Sequence, residues 1–491
     1  MNKPPYQVII GLEVHVQLKT ESKLFCRCST DFGQPPNTQT CPVCIGMPGS
    51  LPVMNEKAFQ LAAKTAIALD CEIPEFTKWD RKNYYYPDLP KGYQISQFDL
   101  PMSCHGSLHI EDPEGAFEPK NVRITRAHLE EDAGKSMHDE VAGKADSSID
   151  LNRTGTPLLE IVSEPDLRSA AEARAYLSEL KLLLTYLDVS DCNMQEGSLR
   201  VDANINLHME GPEEIVATPI VEVKNMNSFR AVERALIYEA TRQWEVWQET
   251  GQKLGDVPKQ TRGWDDHAQI TRGQRHKEES SDYRYFPEPD LVPVRITAEE
   301  VSAIRAGIGE LPAAIRERLV ADHGITSYTS QVLVNQGRGV VDYFVQVAES
   351  CGDGKLAGNW VQQEVLRTLK EQETQIEAFP VASSELADLL GLVQRGELDS
   401  SRGKEVFVAM VQSGKSAAQV MQEKGMESVD DDEVIQLCQA LLEESPQVVA
   451  DVQGGKQQAV GALVGKAKQQ NPNINPGSVR QILLDLIQKM S

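Results

Sequence analysis

The sequence predicts an α+β protein: a cradle built on a largely antiparallel sheet over residues 1–295, an all-helical domain over 296–415, and a small helical tail over 416–491. Three observations predict it. Up to about residue 295 the chain holds short alternating runs broken by Pro and Gly, the pattern of antiparallel strands joined by loops. From Thr297 onward, stretches such as AEEVSAIRAGI and SSELADLLGLVQRGEL carry apolar residues at helical spacing, with Pro and Gly as punctuation. The polar run EKGMESVDDDEV, residues 423–434, then precedes a change of charge. Residues 421–450 hold eight acidic side chains against Lys424, whereas 451–491 hold five cations against Asp451 and Asp485, a local charge of +3.

Length and composition agree with this division. At roughly 150 residues per domain, 491 residues suit about three domains. The net charge of −24 excludes a chain that wraps nucleic acid by bulk attraction, so any RNA contact needs local basic patches. No apolar run reaches the length of a membrane span, and MNKPPYQVII lacks the charged-then-apolar pattern of a signal peptide. A cytoplasmic protein without a membrane partner is expected. Nine cysteines, an odd number, then point to free thiols or metal ligands rather than a disulfide framework.

The elements of the cradle follow in order. In GLEVHVQLKT, Leu12, Val14, Val16 and Leu18 alternate with Glu13, His15 and Gln17, giving a strand with one apolar and one polar face. Cys26-x-Cys28 and Cys41-Pro-Val-Cys44 follow as two close pairs, the spacing of a tetrahedral zinc site. Four protein ligands make such a zinc structural; four unrelated thiols are the alternative. DRKNYYYPDLPKGYQISQFD and SSDYRYFPEPD mix Arg, Lys, Asp and Tyr, a composition of substrate pockets and of ordinary tyrosine-rich loops alike. ITRAHLEEDAGKSMHDE sets Glu130, Glu131 and Asp132 between Arg126, His128 and Lys135; such acids bind Mg²⁺ only where they converge with other oxygen ligands. Its Gly134-Lys135-Ser136 is no phosphate loop, because position 129 is Leu where that motif needs Gly. In TPLLEIVSEPD, Glu160 interrupts an apolar run and needs a partner. SLRVDANINL places Arg200, Asp202, Asn204 and Asn206 opposite an apolar face, and PIVEVKNMNSF does the same with Glu222 and Lys224. Several strands with such polar faces suggest one sheet with a working surface.

Seven ordered blocks carry a resemblance: VIIGLEVHVQLKTESKLFC, DRKNYYYPDLPKGYQISQFD, RAHLEEDAGKS, DLNRTGTPLLEIVSEPD, EGSLRVDANINL, VEVKNMNSF and SSDYRYFPEPDLVP. With GNWVQQEVLRTL and GALVGKAKQQNPNINPGSVRQILLDLI, they make nearly the whole chain similar to the GatB family, one of the component families of the glutamyl- or aspartyl-tRNA amidotransferases. The archaeal GatE relatives share the N-terminal blocks but have a large insertion for which this chain has no room. The resemblance implies an ATP-dependent carbon–nitrogen ligase working in a heterotrimer with the glutaminase GatA and with GatC. It would phosphorylate the side-chain carboxylate of Glu-tRNA(Gln), Asp-tRNA(Asn) or both, for amidation by ammonia from GatA. Carried over by position, the Mg²⁺ site falls on Glu13, His15, the Glu130–Glu131 pair and Glu160, with Glu131 favoured. His15 is an uncommon Mg²⁺ ligand and suits a bound water or a softer metal. Charge and location make Lys135 and Arg200 candidates beside the reacting groups, and Arg153 and Lys224 candidates for nucleotide contacts. Zinc ligands vary across the family, and Cys26, Cys28, Cys41 and Cys44 are all present here. The tail resembles one that contacts the outer corner of tRNA. The competing expectations are a non-catalytic, zinc-stabilised tRNA-binding scaffold and, more weakly, an amide-forming ligase for a free metabolite.

Overall fold

A computed structural model of the chain describes residues 5–112, 114–138, 147–211, 214–274, 283–425, 431–454, 456–471, 474 and 476–490. The chain divides between Pro312 and Ala313 into two units. The strands of the first are β1 (Gln7–Gln17), β2 (Phe76–Thr77), β3 (Asp80–Asn83), β4 (Tyr93–Ser96), β5 (Ser103–Ile110), β6 (Lys120–Glu131), β7 (Lys135–His138) and β8 (Ser147–Asp150). They continue as β9 (Pro157–Ser163), β10 (Leu199–Glu210), β11 (Ile215–Ala217), β12 (Val221–Lys224), β13 (Gln260–Asp265), β14 (Ile270–Gly273), β15 (Phe286–Pro287) and β16 (Val294–Arg295). Helices α1 (Glu56–Ala68), α2 (Ala170–Tyr186), α3 (Phe229–Thr250) and α4 (Ala298–Ala306) complete it.

Nine strands form one sheet in the order β14-β13-β12-β10-β1-β9-β6-β5, with β11 paired to β10 outside this path. Its pairings are antiparallel except β12 with β13. This is the largely antiparallel, α+β architecture that the alternating runs predict. Period 2 and register together sort the two faces. Val14 of β1 stands opposite Val201 of β10 and Ile161 of β9, and Ile161 opposite Ala127 of β6, all at most 3% exposed. Full burial of each such aliphatic side chain contributes about 1.5–3 kcal/mol, so this face anchors the sheet. Helices α1, α2 and α3 pack on it. Side chains of Asn55, Ser169 and Ser228 cap their N-termini by accepting backbone N–H bonds. Gly251 ends α3 at φ +64°, a left-handed cap that glycine adopts without a Cβ penalty. Smaller sheets, β15-β3-β4, β16-β2 and β7-β8, complete the unit.

One helix falls outside the division read from the sequence. α4 lies beyond residue 295, yet it packs against α1, with Val301 and Ile304 on the first unit's core. Its spacing reveals a helix but not which core its apolar side joins. The second unit is helical throughout its described residues: α5 (Pro312–His323), α6 (Ser327–Asn335), α7 (Arg338–Cys351), α8 (Gly354–Trp360), α9 (Leu366–Glu371), α10 (Ser383–Gln394), α11 (Ser400–Ser413) and α12 (Ala417–Glu423). After them come α13 (Asp431–Glu443), α14 (Pro446–Gln453), α15 (Val460–Gln470) and α16 (Pro476–Lys489). The last four share a core of their own, including Cys438, Leu441, Leu463 and Leu483. α12 instead packs on α10 and α11, so that core begins after residue 425 rather than at 416. Within the acidic run that separates the two, residues 426–430 lie outside the described residues. Among the described residues, no helix is long and apolar enough to cross a membrane.

Candidate active site on the polar face of the sheet

The register that buries Val14 turns its neighbours to the opposite face. His15 stands opposite Glu160 on β9 and Arg200 on β10, and Glu160 stands opposite His128 on β6. Glu13 stands opposite Asp202, and Asn204 opposite Glu222. Five strands therefore contribute charge to one surface, although β1 and β10 are separated by some 180 residues of chain.

Two groups of potential metal ligands lie on this face. His15, Glu130 and Glu160 place their ligand atoms within 4.8 Å of one another, as do Glu13, Asp202 and Glu222. In the first, His15 Nε2 is 3.6 Å from Glu160 Oε2 and 3.9 Å from Glu130 Oε1, while His128 Nε2 is 3.4 Å from Glu160 Oε2. Burial opposes ionisation of Glu160, but His128, His15 and Lys82 outweigh it and hold this carboxylate well below its usual range. Burial and the charge of Glu160 push Glu130 upward, so the two carboxyl groups differ in proton affinity. Burial would depress His15; the hydrogen bond and charge of Glu160, with Glu130 and Asp202, raise it instead. His128 is pushed down to about 4, chiefly by burial, and its Nδ1 is buried without a hydrogen-bond partner among the described residues. Two carboxylates and an imidazole held together, with His128 beside them, form a donor set that fits a divalent cation.

The second group is richer in oxygen and closer to the hard set Mg²⁺ prefers. Asn204 Nδ2 donates to Glu13 Oε1 at 2.8 Å, and Thr261 Oγ1 donates to Glu222 Oε2 at 3.1 Å. Lys224 pairs with Asp202 and lies 3.3 Å from Glu222 Oε1. At this end the face opens into a cavity of about 290 Å³ lined by Gly11, Glu13, Asn204, Asn206 and Lys259. Beyond the other end of β1, Asp132 accepts from Gln17 Nε2 and Arg200 Nη2, each at 2.8 Å, and lies 3.5 Å from Arg153 Nε. Burial alone would raise Asp132; Arg200 and Arg153 lower it, so it stays an anion between two cations.

Several placements depart from the sequence expectation. Glu130, not Glu131, reaches the cluster: strand alternation turns Glu131 to the opposite face, where it pairs with Lys91 and accepts from Ile95 N. Glu13 joins Asp202 and Glu222 rather than the His15 group. Lys135 is exposed on the separate β7-β8 hairpin and belongs to neither group. Arg153 donates to the Ala133 and Gly134 carbonyls as well as facing Asp132. Lys82, within DRKNYYYPDLPKGYQISQFD, acts on both Glu130 and Glu160. Sequence reasoning does not single out Lys82, His128, Asp202 or Glu222 as site residues. Asp202 and Glu222 do lie on the polar strand faces of SLRVDANINL and PIVEVKNMNSF; for Lys82 the signal is no finer than the pocket-like composition of its segment, since the groups it acts on come from β6 and β9. SSDYRYFPEPD is described only from Tyr283, its first three residues lying outside the described residues.

The four cysteines form a third group, on the chain that leaves β1. The sulfurs of Cys26, Cys28, Cys41 and Cys44 lie within 4.8 Å of one another, with Cys28–Cys44 at 4.0 Å and Cys41–Cys44 at 3.7 Å. Tetrahedral zinc with bonds of about 2.3 Å sets its sulfurs about 3.8 Å apart, so this arrangement fits the metal. Hydrogen bonding from Cys26 draws Cys44 down to about 4, favouring a thiolate, while it holds the Cys26 thiol up.

The GatB/GatE catalytic domain model matches residues 8–302, and the GatB domain model, with its YqeY part, matches 342–487. The B subunit of the aspartyl/glutamyl-tRNA(Asn/Gln) amidotransferase of Rhodopirellula baltica is 59% identical over 488 residues, 99% of this chain and 98% of that protein. This chain belongs to the GatB family. The corresponding GatB proteins of Carboxydothermus hydrogenoformans and Moorella thermoacetica are 45% and 46% identical, each covering at least 97% of this chain and 99% of its own length. The GatB catalytic-domain match takes in both carboxylate groups, the cysteine clasp and the first turn of α4.

Proposed function

We propose that this chain is the carboxylate-activating component of a glutamine-dependent tRNA amidotransferase. Its relatives' names point to tRNA-dependent amidation of Glu-tRNA(Gln) and Asp-tRNA(Asn). The observation that carries the reading is the convergence, through strand register, of Glu13, His15, Glu130 and Glu160 on one face with Lys82, Arg200 and Lys224. Opposed buried charges gathered on one surface favour a reacting site over a non-catalytic scaffold.

A carboxylate is a poor acyl donor because oxide would have to leave. In the reaction we infer, its oxygen attacks the γ-phosphorus of ATP and ADP departs; ammonia then attacks the acyl carbon and phosphate departs, leaving the amide. Mg²⁺, held by the carboxylates of either group, would neutralise the phosphates as they approach the incoming carboxylate. The remaining work belongs to side chains. Lys82, Lys224 and Arg200 offer positive charge where anions accumulate, and Asp132 orients the Arg200 guanidinium. Glu160, held ionised, keeps His15 and His128 in place.

Zinc in the cysteine clasp would be structural, its four positions filled by protein. GatA would supply ammonia, GatC would join it in a cytoplasmic heterotrimer, and the basic last segment would contact tRNA phosphates locally. The test is to incubate the reconstituted complex with each misacylated tRNA, ATP and glutamine, and to read which amide forms. Glu13→Gln should abolish ATP-dependent activation while the complex still assembles. A fully active variant would refute a metal role for Glu13.

A further inference from the structure

Aromatic rings line the approach to the His15–Glu130–Glu160 group. β4 ends at Ser96, whose Oγ donates to Glu130 Oε2 at 3.4 Å, and Phe98 follows two residues later. Phe98 stacks on Tyr285 with centroids 4.1 Å apart and planes 9° apart. Tyr285 meets Tyr283 edge-on at 6.2 Å, Tyr283 meets Tyr84 at 5.8 Å, and Tyr84 meets Tyr86 at 5.8 Å. Lys82 Nζ lies 5.2 Å from the Tyr283 centroid and 5.9 Å from that of Tyr84, so the cation whose charge acts on Glu130 and Glu160 also lies over these rings. Packing does not account for this run, because its two ends stay in solvent: Phe98 is 48% exposed and Tyr86 60%.

Resting on the function proposed above, we propose that Phe98, stacked on Tyr285, is the platform for the terminal adenine of the acceptor strand of the aminoacylated tRNA, with the exposed tyrosines flanking the bases before it. The amino acid is esterified to the terminal ribose. Bringing its carboxylate to Glu130 and Glu160 therefore holds the terminal base within one nucleotide of the rings beside them. ATP offers a single base, whereas the contacting rings Phe98, Tyr285, Tyr283, Tyr84 and Tyr86, exposed at both ends, form a line suited to a single strand. With a net charge of −24, the chain repels phosphates at long range. Stacking, which does not depend on charge, then adds affinity for the strand's end to what the local cations such as Lys82 supply.

Phe98→Ala in the reconstituted complex should raise KM for misacylated tRNA about 5- to 150-fold, the range one base stacked on an aromatic ring contributes, while KM for ATP stays within about twofold. Phe98→Trp should restore it. A raised KM for ATP with that for tRNA unchanged would assign the platform to the ATP base and overturn the proposal. Unchanged values for both would reduce the pair to packing and overturn it too. Should Phe98→Ala fail to fold, the wild-type complex can be given a chemically acylated acceptor stem whose terminal ribose lacks its base. It should show the same rise in KM, and normal kinetics would overturn the platform. Binding of a short cytidine-cytidine-adenosine strand, followed by tyrosine and tryptophan fluorescence, reads the platform apart from the chemistry. Binding by wild type but not by Phe98→Ala, in a complex that forms no amide, would uphold the platform and sink the amidation reading.

Discussion

Adjacent residues of one strand carry opposite assignments here, and that makes the site testable residue by residue. Glu130 faces the His15 group while Glu131 is buried on the other side against Lys91. Glu160→Gln removes the charge that His15 and His128 share, and should lower ATP-dependent amide formation by at least 100-fold with the fold retained, as measured by initial rate and thermal melt. Glu131→Gln should do the reverse. It leaves Lys91 buried without its anion, costing about 3–5 kcal/mol in denaturant unfolding while folded enzyme keeps most of its rate. Asp166 gives the pH dependence away from the site. Arg123 Nη2 and Nε donate to it at 2.7 and 2.8 Å, and that hydrogen bonding outweighs burial and lowers its pKa. A depressed folded-state pKa contributes stability above the unfolded value of about 4 that is lost as pH falls through the folded one. Asp166→Asn should therefore destabilise the first unit at neutral pH, and the difference from wild type should close on acidification, as urea titrations at both extremes would measure.

At the scale of elements, the cysteine clasp is tied to the loop that carries Arg153. Asn37 Nδ2 donates to the Ile149 carbonyl at 2.9 Å, Leu151 N donates to Asn37 Oδ1 at 2.9 Å, and Asn152 Nδ2 donates to the Pro35 carbonyl at 2.8 Å. Buried Lys23 donates to the Gln39 carbonyl at 2.7 Å, joining the same loop. Cys41→Ser should lower bound zinc and melting temperature more than it lowers intrinsic chemistry, with metal content measured by elemental analysis. Removing zinc from wild type should also speed amide hydrogen exchange over residues 149–155; unchanged exchange would detach the clasp from that loop. The two cysteine pairs are legible in the sequence because the members of each pair are close along the chain. The hydrogen bonds that tie Asn37 and Pro35, between the pairs, to residues 149–152 are not, because these join segments more than 100 residues apart.

For the whole molecule, the tail's separate core of α13–α16 makes truncation informative. A chain ending at residue 425 should keep the first unit's unfolding transition while binding tRNA more weakly, as a filter or fluorescence titration would show; unchanged affinity would remove the tail from the RNA-binding surface. The sequence by itself determined the α+β class, the strand face that carries Glu13 and His15, the cysteine pairs and the family, because each is written in spacing along a continuous stretch. Tertiary structure decided what those stretches meet. Pairing of β1 with β10 and β9 set Glu13 beside Asp202 and His15 beside Glu160, and pairing of β6 with β9 brought Glu130 to that cluster while alternation turned Glu131 away. It also gave α4 to the first unit. Period 2 fixes which side chains share a face within one strand, but register between strands is a property of non-local hydrogen bonds and a shared core.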